Sequence, residues 1–165
     1  MLGVTHMLIG AAAGVPVAIA TGEPFVVGVA ILGALIPDLD ASEATLKHWK
    51  LVLGEGKKGF AIKPFYALSE IIRLFLPHRG WLHSLWAAIL VSFLGFFAGW
   101  QWALALFVGY VSHLLADSVT PTGVPLLTKE PWHLVGPRWR LRTGSEWEHL
   151  IGAIAALIVL AYFVI

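Results

Sequence analysis

Seven residues of metal-binding type, His6, Asp38, Asp40, His78, His83, His113 and Asp117, lie in or beside strongly apolar stretches of this chain. An ionisable side chain in such a setting costs several kcal/mol, so each is a candidate functional residue. His113-Leu114-Leu115-Ala116-Asp117 spaces an imidazole and a carboxylate four apart, on one face of a helix and close enough to share an ion. Taken alone the pair serves equally well as a structural hydrogen bond. Pro37-Asp38-Leu39-Asp40 ends a helix and sets two carboxylates in an extended turn, where alternate side chains point the same way. Carboxylates are disfavoured at a helix C-terminus, a conflict that a local cation resolves. His78 and His83 stand about 140° apart on a continuous helix and converge only if the helix begins between them, as Pro77 and Gly80 favour. Glu146-x-x-His149 resembles half of a di-iron helix motif without its twin, and is a candidate additional metal pair. With no cysteine in the chain, any metal is held by nitrogen and oxygen. Zinc suits that set, with manganese as the alternative, as one ion or as two bridged by a carboxylate. Such ions activate water and neutralise a phosphoryl oxygen, and Arg79, between the two histidines, is placed to hold phosphate. Arg138, Arg140 and Arg142 could do the same, or simply mark the cytoplasmic side.

The elements that must position these groups are membrane helices. The chain has 165 residues, 58% of them hydrophobic and only 13% charged, too little polar surface to solvate a small globule. The expectation is a single integral domain, residues 1–165, of all-α class: a polytopic membrane protein with about five transmembrane helices. The apolar runs are 2–20, 24–37, 81–100, 102–119 and 149–165, with the Trp100-Gln101-Trp102 corner between the third and fourth. A cleaved signal peptide is the rival reading of the first run, but no positive segment precedes it. The mixed segment 41–80 is expected to hold an amphipathic interfacial helix over 66–76, and proline-rich 120–147 an irregular connection. All eleven Lys and Arg lie between Lys47 and Arg142. The positive-inside rule therefore puts the basic connections and the N-terminus in the cytoplasm and the C-terminus outside. Counting residues back to the outer turns puts His6, Asp38, His83, His113 and His149 roughly 18–26 Å from the outer side. They form one layer about 4–12 Å beneath the cytoplasmic interface.

The ordered set of His6, Pro37-Asp38-Leu39-Asp40, His78-Arg79-Gly80-Trp81-Leu82-His83-Ser84 and Gly109-Tyr110-Val111-Ser112-His113-Leu114-Leu115-Ala116-Asp117, running on to Thr120-Pro121-Thr122-Gly123, resembles the YdjM-like family of inner-membrane proteins described as membrane-bound metal-dependent hydrolases. That family is distantly similar to the zinc-dependent phospholipase C and single-strand nuclease superfamily, helical enzymes that hydrolyse phosphodiesters with a His/Asp metal cluster. The resemblance implies that His113 and Asp117 match its His-x-x-x-Asp ligand pair. It further implies that Asp38 or Asp40 is a ligand and possible base, and that His6 and His83 are further ligands. The superfamily's His-x-x-x-Glu pair for a third metal has no clean match, since Glu146 and His149 occur in the opposite order.

These readings lead to an expected metal-dependent hydrolase in the inner membrane. It cleaves a phosphoester of a lipid or amphiphile from the cytoplasmic side, with Asp40 as the preferred general base. Nothing in the charge distribution points to nucleic acid. A metal-ion or proton transporter is the rival, but it calls for polar groups through the whole membrane, and the outer halves of these runs are read as holding no ionisable residue. A noncatalytic scaffold with a structural metal is the third reading.

Overall fold

The computed structural model describes residues 1–40, 51–53, 60–63, 66–67, 69–71, 80–127 and 130–165. Among the described residues five α-helices carry the architecture: α1 (Gly3–Thr21), α2 (Val26–Leu35), α3 (Leu85–Gly95), α4 (Trp100–Ser118) and α5 (Glu146–Val164). α1, α2 and α4 pack on one another, α3 packs on α4, and α5 packs on α1. Short 3-10 turns cover Pro37–Asp40, Trp81–His83, Phe96–Ala98 and Pro137–Trp139.

The helices match the apolar runs, with corrections at their ends. The third run is not one span-length helix: Ser84 interrupts it with extended backbone and caps α3, its Oγ accepting from the Ala87 amide at 3.3 Å. The reversal before α4 falls at Gly99, whose φ of 132° favours glycine, and Trp100 already belongs to the helix. The expected aromatic corner is therefore the first turn of α4. Within 41–80, Leu51–Leu53 and Phe60–Ile62 form an antiparallel strand pair, β1 and β2, which the sequence reading did not anticipate. Of the amphipathic stretch 66–76, residues 66–67 and 69–71 are helical. Buried Ser69 ties this stretch to the Pro37–Asp40 turn by donating to the Leu39 carbonyl at 2.7 Å. The connection from α4 to α5 is irregular as expected, with a single bridge between Val124 and Trp132.

Among the described residues two helices, α1 and α5, are long and apolar enough to cross a membrane; α2 and the stretch Leu85–Ala98 are apolar but shorter. Large apolar side chains are exposed along α3 (Trp86, Ile89, Phe93) and α5 (Ile154, Leu157, Leu160), faces suited to lipid.

The core is built from small residues. Gly33 faces the Leu106 carbonyl and Gly109 faces the Ala30 carbonyl, so α2 and α4 cross with backbones in contact. Without a solvent-driven hydrophobic force between helices in lipid, such close approach is what holds them. A second link joins α4 to the turn that precedes α3: fully buried Tyr110 donates its hydroxyl to the Leu82 carbonyl at 2.5 Å. Tyr110→Phe leaves that acceptor without the hydroxyl and is expected to cost about 1–3 kcal/mol. Thermal unfolding in detergent measures it, and an unchanged melting temperature would refute it.

Candidate metal centre

Four elements bring one residue or more each to a single point. His6 is in the first turns of α1, Asp38 in the turn that ends α2, His83 in the turn before α3, and His113 and Asp117 on one face of α4. His6, His83, His113 and Asp117 are at most 1% exposed. Asp38 keeps 22% of its side chain accessible and is the open edge of the cluster.

The polar atoms interleave. His6 Nε2 lies 3.2 Å from Asp117 Oδ1, and His113 Nε2 lies 3.8 Å from both Asp117 Oδ2 and Asp38 Oδ1. His83 Nε2 lies 3.5 Å from Asp38 Oδ1 and 4.0 Å from Asp117 Oδ2. The His6 and His113 rings stack with centroids 3.8 Å apart. The amino group of Met1 is also at the cluster, 2.7 Å from Asp117 Oδ1.

His113 defines the chemistry. Its Nδ1 is 2.8 Å from the Ala34 carbonyl, an acceptor only, so Nδ1 carries the proton and the Nε2 lone pair faces the carboxylates. A ring nitrogen facing carboxylate oxygens calls for a cation between them, a second proton or a metal ion. Neither ring nitrogen of His6, nor His113 Nε2, sits in hydrogen-bonding geometry with any partner, although all are buried. Two overlapping triads, His6/Asp38/His113 and His83/His113/Asp117, each have ligand atoms within 4.8 Å of one another. Three imidazoles and two carboxylates, one ring oriented by a backbone carbonyl, form a donor set that fits a divalent ion.

Five of the seven expected ligands therefore meet. Asp40 is described only as backbone of its turn; its side chain, His78 and Arg79 lie outside the described residues. Glu146 and His149 do not join the cluster: both are exposed on α5, and His149 lines an apolar groove of about 360 Å³ between α1 and α5. The buried carboxylate of that turn is Glu148, which the sequence reading passed over. Its signal was Ser145-x-x-Glu148, a helix-capping spacing: Ser145 Oγ accepts from the Glu148 amide at 3.4 Å.

The family model for the YdjM inner membrane protein matches residues 1–165, the whole chain. The chain belongs to the YdjM family. It is 37% identical over 129 residues to the inner membrane protein YdjM of Escherichia coli (strain K12), and equally to that of Shigella flexneri. Those matches take in 74% of this chain and 58% of each relative, so the chain spans under two thirds of the YdjM proteins' own length. YvsG of Bacillus subtilis (strain 168) is 28% identical over 167 residues, covering 99% of this chain and 94% of that protein. No solved structure matches. This YdjM family member is thus an inner membrane protein with a largely buried His/Asp cluster whose ligand atoms could hold a metal ion.

Proposed function

We propose that this YdjM family member is a membrane-embedded, metal-dependent hydrolase that cleaves a phosphoester of a lipid or amphiphile from the cytoplasmic side. The observation that carries the reading is the convergence of His6, Asp38, His83, His113 and Asp117, with the His113 lone pair turned into the cluster by the Ala34 carbonyl. In this reading all five apolar runs cross the bilayer, with the N-terminus and the cluster toward the cytoplasm and the C-terminus outside. Those five side chains hold one or two divalent ions, zinc or manganese. A bound ion of this kind supplies Lewis acidity toward a phosphoryl oxygen and acidifies water. The protein's own contribution is to exclude bulk water around the four buried ligands and to leave Asp38 as the accessible edge where a substrate enters. Asp40, two residues along the same turn, is the proposed base, and Arg79 the proposed phosphate contact.

Metal analysis of detergent-purified protein tests this, wild type beside His113→Ala. Wild type is expected to carry one or more equivalents of zinc or manganese that the variant lacks, and the loaded protein to hydrolyse phospholipid or a phosphodiester. No bound metal in folded wild type would sink the reading. Metal without hydrolysis would favour the scaffold, and His113-dependent ion flux in proteoliposomes would favour a carrier.

A further inference from the structure

Glu148 is fully buried in the first turn of α5, yet it faces none of the five clustered residues directly. Its two oxygens are both occupied: Oε1 accepts from the Leu2 amide and Oε2 from the Gly144 amide, each at 2.6 Å. The buried Thr5 hydroxyl is a third donor beside it. Three donors already claim most of this carboxylate's acceptor sites, and none of them is a residue of the metal cluster. The carboxylate sits instead between two helix N-termini. Leu2 is the N-cap residue of α1 and offers no side-chain cap of its own, and Ser145 is the N-cap of α5. Both helix ends present unsatisfied amides and a positive dipole end, and one buried carboxylate answers both.

The consequence reaches the cluster through two backbone links. Glu148 fixes the Leu2 amide, and the Leu2 carbonyl accepts from the His6 amide at 3.1 Å in the first bond of α1. At this end α1 meets α4 through Met1 and His6, and α5 through the Glu148 carboxylate. We infer that Glu148 is a positioning residue: by capping α1 from another helix, its carboxylate fixes the turn that presents His6 to the metal cluster. The inference rests on the metal reading above for its consequence, and on geometry alone for the positioning itself.

The test uses full-length protein in detergent and four forms: wild type, Glu148→Gln, Leu2→Pro and Ser145→Ala. Glu148→Gln keeps the size and removes the charge. Leu2→Pro removes the donated amide at a φ of −69° that proline adopts, at the cost of the Leu2 side chain. Ser145→Ala weakens the α5 cap while leaving the Glu148 carboxylate in place. Two readouts are taken: zinc affinity, and the rate at which diethyl pyrocarbonate modifies His6 in metal-free protein, located by mass spectrometry. Glu148→Gln and Leu2→Pro are both expected to weaken zinc binding by about 10–100-fold, as loss of an outer support of a ligand does. Both are also expected to speed His6 modification several-fold, and Ser145→Ala to change neither. An unreactive His6 in both variants, or an equal response in Ser145→Ala, overturns the inference. Should wild type bind no zinc, the metal reading fails by itself and the His6 labelling still decides whether Glu148 positions that turn.

Discussion

Asn in place of Asp117 is expected to strip the protein of metal, weakening binding by at least about 100-fold, the upper end of what even an outer support of a ligand is worth. Asp117 is the carboxylate that all three imidazoles face, with Oδ1 3.2 Å from His6 and Oδ2 3.8 and 4.0 Å from His113 and His83. Asn preserves the shape but removes the charge and turns one acceptor into an NH2 donor. Either orientation of the amide then deprives an ion of a ligand atom on one side of the cluster. The damage extends to metal-free protein. The Met1 amino group and His6 both contact Oδ1 in an environment where side chains are almost wholly buried, and removing one partner of a buried pair costs about 3–5 kcal/mol. Two measurements check this. Metal analysis should show loss of the bound ion, and chelator should lower the melting temperature of wild type while leaving Asp117→Asn unmoved. A variant that keeps wild-type metal content would remove Asp117 from the centre.

Adding one methyl group at Gly109 is expected to do comparable harm from outside the cluster. A Cβ there would lie 2.0 Å from the Ala30 carbonyl oxygen and 2.7 Å from its carbon, backbone atoms that cannot rotate away. α4 must then move off α2. Overpacking of this kind costs about 1–3 kcal/mol where side chains can yield, and here only backbone is available, so roughly 3 kcal/mol or more is expected. One turn further along both helices His113 bonds the Ala34 carbonyl, so the same displacement releases the ring that the bond orients. Gly109→Ala should therefore fold poorly and lose metal together. Gly28→Ala is the matched control: nothing lies within 4 Å of a Cβ at that position, and alanine there should be neutral or slightly stabilising. Folded yield in detergent and metal content of the two variants decide it; equal behaviour would show that the helix crossing tolerates separation.

The cluster was legible in the sequence because polar residues in apolar surroundings are conspicuous. Of the residues that share one depth when helical rise is counted from the turns, the structure gathers His6, Asp38, His83 and His113, joined by Asp117 four positions after His113, while His149, counted to the same depth, is exposed. What orients them was not legible. The Ala34 and Leu82 carbonyls are backbone acceptors whose residue identity says nothing of the bond they accept. Glu148 was displaced by its neighbours: Glu146 and His149 have a ligand-like spacing, but α5 turns them outward and the intervening carboxylate inward. The strand pair 51–53 and 60–62 was missed because runs of three residues carry too little periodicity to register. The crossing at Gly33 and Gly109 is a relation between two helices, invisible to a reading along one.

The contacts that assemble the centre are distant in the chain. His6 meets Asp117, and the Leu2 amide meets a carboxylate 146 positions away. A ribosome delivers α1 to the membrane well before α4 exists and longer still before α5. During that interval His6 has neither Asp117 nor Glu148 near its turn. All five clustered residues exist only once α4 has been made, and Glu148 reaches the Leu2 amide only with α5, so the centre and the support of its first turn are both late products of synthesis.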